Sequence, residues 1–533
     1  MKHFKHHIIT SLVLSFLICA LSLPNNHKSI KAEELGTASP ADIEETSSAG
    51  DQKKNMEETK IFFAGDETAA NYFRIPNIYT LNDGRILASA DARYGGTHDS
   101  PNNIAIASSY SDDNGMNWSE SILPLSFDDY ANQEIDWPRD DQGKEEQIKY
   151  SASFIDSAIL EDSQTGNIYL FADVMPAGVG NSNAWKNDSG FEEIDGQYFL
   201  KLRSQDEEEY HYLLGPDQII YDKRTGEETD YSVDDDYNIL KNGESLYTEQ
   251  YSVDFQDDQL IEYQNGTKVK MNIFYYDSLF EVVPTNYVGY TVSQDQGESW
   301  SPLNLLDPLL GPDHNAPYLS PGGGLETSNG RLLLSSYTES AIIYIVSDDH
   351  GETWFPVRQE LPFSEATAES QTIELEEDVL ATFTRTDNGK IGYSMSHDNG
   401  DTWTEITNLD IVDNTQYGTQ VSALKYSEEI EGKLAVILST PNSTQARENG
   451  ELIIGLYNGE EIEWKYRYTI PDTQDGFSYS DLTETPDGEI ALHYENYDSW
   501  SRDQLHLKDV LLMQRFDIQD IINQSQEITE DAG

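Results

Sequence analysis

Short runs of alternating apolar and polar residues, separated by turn residues, fill the chain from about residue 61 onward. This period of two is typical of β-strands that bury one face, and long amphipathic helical patterns are nearly absent. Two such runs, FRIPNIYTL and RILASADAR, flank Asn82-Asp83-Gly84, and an Asp-Gly pair in that setting predicts a hairpin turn. The pattern therefore predicts an all-β protein.

Two internal repeats organise these runs into equivalent units. One is an octad, Ser-x-Asp-x-Gly-x-(Thr/Asn/Ser)-Trp, whose Asp can accept backbone N–H groups while Gly takes a positive φ and Trp packs over the hairpin. The other is a turn followed by a strand. Six such units predict a six-bladed β-propeller, in which sheets of about four strands surround a central axis that carries the binding site. The octads lie at Ser111–Trp118, Ser293–Trp300, Ser347–Trp354 and Ser396–Trp403, and the turn–strand units lie at 83–91, 165–173, 329–337, 377–385, 431–439 and 487–495.

The spacing of the octads predicts a domain inserted into the propeller. Their Asp residues lie at positions 113, 295, 349 and 398, so the steps are 182, 54 and 49 residues. The last two steps match one blade of about 50 residues, whereas the first step leaves roughly 130 residues in excess. We therefore expect the propeller in residues 60–175 and 268–515, an inserted β-rich domain in 176–267, and a C-terminal tail in 516–533.

The N-terminal segment has the composition of a secretory signal peptide. In residues 1–32, basic residues precede an apolar run at 8–23, and a plausible cleavage site ends at Ala32. The run is too short for a membrane anchor, so we expect a secreted, extracellular protein without stable membrane insertion. Residues 33–59 lack periodicity and predict a disordered linker, which leaves no room for an N-terminal lectin domain.

Composition narrows the classes of partner and chemistry. The 33 basic and 97 acidic residues give a net charge of −64. This charge argues against nucleic acid as a partner, because phosphate contacts need clustered Lys and Arg. Cys19 is the only cysteine and lies in the predicted signal peptide, so we expect no disulfide, thiol nucleophile or cysteine metal site. We expect no metal and no cofactor, and we expect a monomer.

Arg74 is the most informative charged residue, because it lies in an apolar strand between Phe73 and Ile75. A buried Arg is costly unless it is paired or reserved for an anion. Asp99 follows 25 residues later in a Gly-rich loop, YGGTHDSPNN. The two residues fit a carboxylate anchor and a proton carrier, but they fit a core ion pair and a turn Asp equally well.

The FRIP motif together with the octads, which are known as Asp boxes, resembles the bacterial exo-sialidases of glycoside hydrolase family 33 over about residues 60–515. The resemblance implies an arginine clamp for the carboxylate of sialic acid, whose planar guanidinium groups suit bidentate contacts. The clamp consists of Arg74, of Arg385 in LATFTRTDNGK and of Arg447 in STPNSTQAREN. Substrate contacts are also implied for Ile75 and for Arg93, the latter on the side of the 4-hydroxyl. A structural pairing with a nearby acid explains Arg93 equally well.

The resemblance also implies the catalytic residues. Asp99 matches the general acid/base, and Tyr479 in DGFSYSDL matches the nucleophile, with Glu369 in TAESQTIEL as its base. A phenol suits this role because the anomeric carbon bears a carboxylate, which would repel an attacking Asp or Glu. Without the motif, packing would be the better explanation for any one of the 32 tyrosines.

Further stretches, such as DARYGGTHD, FADVMPAGV and YDSWSR, resemble the intramolecular trans-sialidases, which release 2,7-anhydro-sialic acid. The resemblance implies that Trp500 and Thr367 crowd the site, exclude water and favour α2,3-linked substrates. The alternative for Trp500, which the resemblance makes the less favoured one, is ordinary packing in blade six. The expected partners are sialylated glycans of glycoproteins and glycolipids. The alternatives are a hydrolytic sialidase that releases free sialic acid, an enzyme that eliminates to the 2,3-didehydro sugar, a non-catalytic sialic-acid-binding propeller and a propeller that serves only as an interaction platform.

Overall fold

The computed structural model describes residues 58–130, 148–256, 259–362, 367–499 and 507–528. The predicted signal peptide and nearly all of the predicted linker lie outside these residues. The described residues form 36 β-strands and one seven-residue α-helix, which confirms the all-β prediction. Among them there is no helix long and apolar enough to cross a membrane.

Blade one is a four-stranded antiparallel meander whose first three strands are almost entirely buried. The predicted hairpin turn joins its first two strands. There the Leu81 N–H donates to the Arg85 carbonyl at 2.8 Å, and Gly84 has a φ of 96°, a conformation that suits glycine. The strands are β1 (Tyr72–Thr80), β2 (Ile86–Arg93), β3 (Ile104–Ser111) and β4 (Ile122–Leu125).

Blade two is interrupted after its second strand, where the chain leaves to form an inserted antiparallel sheet and a two-stranded hairpin. The blade begins with β5 (Ser153–Asp162) and β6 (Asn167–Met175). The inserted sheet contains β7 (Phe191–Ile194), β8 (Gln197–Ser204), β9 (Tyr212–Leu214), β10 (Ile219–Asp222), β11 (Glu227–Val233), β12 (Ile239–Lys241) and β13 (Glu244–Ser245). The hairpin β14 (Tyr247–Gln256) and β15 (Gln259–Lys270) and the strand β16 (Phe280–Val282) follow, and then β17 (Tyr287–Ser293) and β18 (Asn304–Leu305) complete the blade.

The inserted sheet extends beyond residue 267, which is the end that we expected from the sequence. β16 pairs with β8, and the chain rejoins blade two only where β17 pairs with β6. The expected end was too early, because a strand of three residues carries too little alternation to be recognised in the sequence.

Four further sheets complete the six-bladed propeller that the repeats predict. The third blade contains β19 (Tyr318–Leu319), β21 (Leu325–Glu326), β22 (Leu332–Thr338), β23 (Ala341–Ser347) and β24 (Phe355–Glu360), while β20 (Gly322–Gly323) pairs in parallel with β5 of blade two. Blade four contains β25 (Ser370–Glu376), β26 (Val379–Arg385), β27 (Ile391–Ser396) and β28 (Thr407–Leu409). Blade five contains β29 (Ser422–Ile430), β30 (Lys433–Pro441), β31 (Gly450–Tyr457) and β32 (Ile462–Thr469), and blade six contains β33 (Ser480–Glu484), β34 (Ile490–Glu495) and β35 (Leu511–Phe516).

Residues from both ends of the described part complete the last two blades. Thr59 and Met513 exchange backbone hydrogen bonds of 2.8 and 2.7 Å, so the segment before β1 pairs with the outer strand of blade six. After the capping residue Asp517, α1 (Ile518–Gln524) leads to β36 (Gln526–Glu527), which pairs with β32 of blade five. The predicted C-terminal tail is therefore wrong for these residues, because apolar side chains of α1 are buried against blade five.

The four octads form the predicted turns between the last two strands of blades one to four. In the first octad, the Asp113 carboxylate accepts hydrogen bonds from the Ser111 hydroxyl at 2.9 Å and from the Asn117 N–H at 2.8 Å. In the other three octads, both equivalent distances are 2.8 Å. Each turn is therefore closed by bonds within its own eight residues, as the repeat predicts.

Two arginines link the octads of neighbouring blades. Arg331, in the turn before β22, donates to Asp348 of its own blade at 2.7 Å. It also donates to Asp401 and to the Asn399 carbonyl of blade four, at 2.6 and 2.9 Å. Arg85 makes the equivalent contacts between blades one and two. These bonds fix the orientation of one blade relative to the next.

One face of the propeller collects the predicted site residues. In an antiparallel meander, the beginning of the first strand and the end of the second lie on the same face. Arg74 lies near the start of β1, and Arg385 ends β26. Glu369 and Tyr479 immediately precede β25 and β33, the first strands of their blades. The loops that carry Asp99 and Arg447, and the insertion itself, all follow second strands, so they rise from this same face.

Candidate active site

Arg74 is placed by a β-bulge and an acidic partner. The register of β1 shifts between Arg74 and Asn77, and Ile75 takes a φ of 56°, which is rare for a β-branched residue. The Glu495 carboxylate accepts hydrogen bonds from Arg74 Nε at 3.0 Å and from the Ile75 N–H at 3.1 Å. Glu495 therefore fixes both the bulge and the guanidinium, a role that the sequence analysis missed.

Arg385 and Arg447 are held by two consecutive carbonyl groups. The Tyr417 carbonyl accepts from Arg385 Nε and Nη2 at 3.0 and 2.7 Å. The Gly418 carbonyl accepts from Arg447 Nε and Nη2 at 3.0 and 2.8 Å. Arg447 also donates from Nη1 to the Ser499 hydroxyl at 2.9 Å. One loop between blades four and five thus aims two guanidinium groups.

The three arginines surround the ring of Tyr479. The Cζ atoms of Arg74 and Arg447 lie 5.5 and 5.4 Å from the ring centroid, and Arg385 Nη1 donates to Tyr479 Oη at 3.1 Å. Burial and the neighbouring Arg385 lower the pKa of Arg447 below its usual value. Three buried cations in a protein of net charge −64 form a site for an anion.

Tyr479 and Glu369 form a hydrogen-bonded pair inside this cluster. Tyr479 Oη donates to Glu369 Oε1 at 2.7 Å, and Glu369 Oε2 accepts from Arg385 Nη1 at 2.9 Å. Burial raises the pKa of Tyr479 above its usual value, and Glu369 raises it further, while Arg385 and Arg447 lower it. The phenol is therefore neutral at rest and has a base within reach, as a nucleophile that is deprotonated during attack requires.

Asp99 stands at the mouth of the site between two arginines. Its Oδ1 accepts from Arg93 Nη1 at 2.8 Å and from Arg74 Nη1 at 3.2 Å, and its side chain is 64% exposed. Desolvation raises the pKa of Asp99, but Arg93 and Arg74 outweigh it and hold the pKa at about 2. Arg93 is itself fully buried and donates from Nη2 to Asp91 at 2.6 Å. Asp99 is thus an anion, and one of its two cationic partners, Arg74, also belongs to the arginine clamp.

Asp156 is a further site residue that the sequence did not reveal. It lies at a bulge in β5 with a φ of 59°, and its N–H donates to Asp91 Oδ1 at 3.2 Å. Burial raises its pKa well above the usual value, and the nearby carboxylates of Asp91 and Asp173 raise it further. These causes favour the protonated form, and in that form the carboxyl group can donate a hydrogen bond to a ligand. The sequence gives no sign of this role, because an Asp within an alternating run does not show that its φ will be positive.

The structure brings together Arg74, Ile75, Arg93, Asp99, Glu369, Arg385, Arg447 and Tyr479 on one face. Thr367 is half-buried, two residues before Glu369, whereas Trp500 lies outside the described residues. Within the described part of the chain, no group of three or more His, Cys, Asp or Glu residues is arranged to hold a metal ion.

Comparisons with known proteins point to one family. A model of the BNR repeat-like domain matches residues 263–492. Sialidase B of Streptococcus pneumoniae serotype 4 is 51% identical over 464 residues, which are 86% of this chain and 67% of that protein. The intramolecular trans-sialidase from Ruminococcus gnavus, in complex with oseltamivir carboxylate, superposes with a TM-score of 0.84 at 44% identity, over 87% of this chain and 98% of that one.

A third relative is the leech intramolecular trans-sialidase, complexed with 2,7-anhydro-Neu5Ac prepared by soaking with 3′-sialyllactose. It superposes with a TM-score of 0.85 at 43% identity, over 88% of this chain and 72% of that one. These similarities extend over nearly the whole described part of the chain, and they agree with the arginine cluster and the Tyr479–Glu369 pair. The protein therefore belongs to the sialidases, the glycoside hydrolases of family 33.

Proposed function

We propose that this sialidase is a secreted intramolecular trans-sialidase that acts on terminal α2,3-linked sialic acid and releases 2,7-anhydro-sialic acid. Its similarity to two intramolecular trans-sialidases supports the reaction, and the leech complex supports the product and the linkage. The composition of residues 1–32 supports secretion. The observation that carries the catalytic part of the proposal is the Tyr479–Glu369 pair at 2.7 Å within the arginine cluster, because binding alone needs no phenol and base.

In the first step, the sialic acid carboxylate binds the three arginines. Tyr479 Oη attacks the anomeric carbon while its proton passes to Glu369, and the bond to the leaving-group oxygen breaks. Asp99 gives that oxygen its proton, so that a neutral alcohol departs and a tyrosyl-enzyme remains.

Substrate binding helps Asp99 to carry that proton. Without substrate, Arg74 and Arg93 keep Asp99 ionised, with a pKa of about 2. When the substrate carboxylate occupies Arg74, it takes over part of that positive charge, so the pKa of Asp99 rises. Closure of the exposed mouth by the leaving group acts in the same direction, because burial disfavours the ionised carboxylate.

In the second step, the 7-hydroxyl of the bound sugar attacks the anomeric carbon, and the bond to Tyr479 breaks. The 7-hydroxyl proton goes to Asp99, and the phenolate recovers its proton from Glu369. This path is favoured over hydrolysis only if the glycerol arm is folded over the reacting face, which is the role we propose for Thr367 and Trp500.

Hydrolysis to free sialic acid is the second candidate. The 64% exposure of the Asp99 side chain favours it, because water can reach the residue that would act as its base. Both candidates use the same first step and differ only in which oxygen attacks the tyrosyl-enzyme.

Product analysis tests the proposal. The protein is incubated with 3′-sialyllactose, and proton NMR follows the first-formed sugar. We expect 2,7-anhydro-sialic acid from the earliest time point and much slower release from 6′-sialyllactose. Free sialic acid as the first-formed product would contradict the proposal. The matched control, Tyr479→Phe, should bind sialic acid but release neither product, and turnover by it would exclude the proposed nucleophile.

A further inference from the structure

Four tyrosine side chains form a contiguous cluster of rings on the site face, which we call the tyrosine ledge: Tyr130, Tyr150, Tyr251 and Tyr276. The ring centroid of Tyr150 lies 4.4 Å from that of Tyr276 and 5.2 Å from that of Tyr251. Tyr130 also stacks with Tyr251, with centroids 5.9 Å apart. Because each ring is held by its neighbours, the ledge is a preorganised surface.

The ledge begins at the wall of the active site. Tyr72 packs with Tyr130 and Ile148, and its side chain lies on the same face of β1 as Arg74, because the two are two residues apart. Ile148 also contacts the loop that carries Asp99, since a Cβ at Gly95 would meet its Cδ1 at 2.5 Å. The ledge therefore extends from the Asp99 side of the site.

The outer end of the ledge faces solvent. Tyr130 is buried and Tyr150 and Tyr251 are half-buried, whereas Tyr276 is 41% exposed. Solvent can therefore reach the cluster from the Tyr276 end, where an aromatic face is open to a ligand. A tyrosine offers an apolar ring face and a hydroxyl, and these match the C–H face and the hydroxyl edge of a sugar ring.

We propose that the tyrosine ledge binds the sugar that leaves, namely the saccharide to which sialic acid is attached. This inference deepens the function proposed above and rests on it. The group that protonates the glycosidic oxygen must lie beside the leaving group, and the ledge adjoins the loop of that group, Asp99. Because Tyr251 and Tyr276 belong to the insertion, the inserted domain selects substrates whose leaving group is a saccharide.

The test compares two substrates that share sialic acid and differ in the leaving group. One is 3′-sialyllactose, which reaches the ledge, and the other is the methyl α-glycoside of sialic acid, which does not. Tyr276→Ala should lower kcat/KM for 3′-sialyllactose by about tenfold and for the methyl glycoside by less than about twofold. Tyr276→Phe keeps the ring and should retain the activity on 3′-sialyllactose.

Tyr263→Ala is the matched control. Tyr263 lies on the β14–β15 hairpin, as Tyr251 does, and it is 46% exposed. It pairs with Ser252, the residue after Tyr251, so its side chain lies on the opposite face of the hairpin from Tyr251. This variant should leave both substrates unchanged. Equal losses on both substrates for Tyr276→Ala, or no loss on either, would overturn the ledge as a subsite. If the unmodified protein turned over neither substrate, the proposed function itself would be wrong, and the ledge with it.

Discussion

A single methyl group at Gly418 should disable two of the three clamp arginines. The Gly418 and Tyr417 carbonyls hold Arg447 and Arg385 through four hydrogen bonds of 2.7–3.0 Å. Gly418 has a φ of +59°, and a Cβ there would lie 2.4 Å from the Thr386 carbonyl oxygen and 3.0 Å from Arg385 Cγ. A backbone oxygen cannot move aside cheaply, so Gly418→Ala must displace the loop that aims both guanidinium groups.

The expected loss follows from these bonds. The left-handed φ costs an alanine about 1 kcal/mol of folding stability. A hydrogen bond to a charged group contributes about 1.5–3 kcal/mol, so misplacing two guanidinium groups should cost about 3 kcal/mol of transition-state binding. That free energy corresponds to a roughly 100-fold lower kcat/KM.

Gly432→Ala is the control that separates the cost of a positive φ at an alanine from the cost of the steric clash. Gly432 has a φ of +74°, but a Cβ there meets nothing within 4 Å. Activity on 3′-sialyllactose and the melting temperature are measured for both variants. We expect a small drop in melting temperature for Gly432→Ala, a larger drop for Gly418→Ala, and a large loss of kcat/KM for Gly418→Ala alone. Activities of the two variants within about threefold of each other would refute the positioning role of Gly418.

Two further predictions concern stability. Burial raises the pKa of Asp481 to about 7 and that of Asp129 to about 8. In the unfolded chain both carboxyls lose their protons at about pH 4. The free energy of unfolding therefore falls as the pH rises from about 4 to about 8, by ~1.4 kcal/mol for each unit of raised pKa. Calorimetry should therefore find a higher melting temperature at pH 5 than at pH 8, and the opposite order would contradict these shifts. Arg331→Ala removes the bonds between blades three and four and should lower the free energy of unfolding by about 1–2 kcal/mol. Urea denaturation should show a much smaller effect for Arg358→Ala, whose hydrogen bonds lie within its own blade, and equal effects would refute the interblade role.

The blade count could be predicted from the sequence because its signals are local. Each octad closes its own turn within eight residues, and each turn–strand unit carries its own alternation. The clamp and the catalytic residues could be assigned because they lie in recognisable motifs such as FRIP. In contrast, β16 and β36 have three and two residues, and only their pairing with distant strands reveals them.

The supporting parts of the site could not be predicted, because they depend on contacts between distant residues. Glu495 lies 421 residues after Arg74 and resembles any other Glu of a turn–strand unit. The role of Gly418 rests on the direction of two carbonyl groups, and no side chain indicates that direction. The tyrosine ledge combines rings from the propeller and the insertion, which the sequence presents as separate segments.

Covalent trapping of Tyr479 tests the central claim most directly. The protein is incubated with a fluorinated sialosyl donor, which slows the departure of the sugar from the enzyme, and the labelled peptide is identified by mass spectrometry. We expect the sialosyl group on Tyr479, in the peptide that contains DGFSYSDL. A label on another residue, or no label while the donor is consumed, would contradict the proposed mechanism.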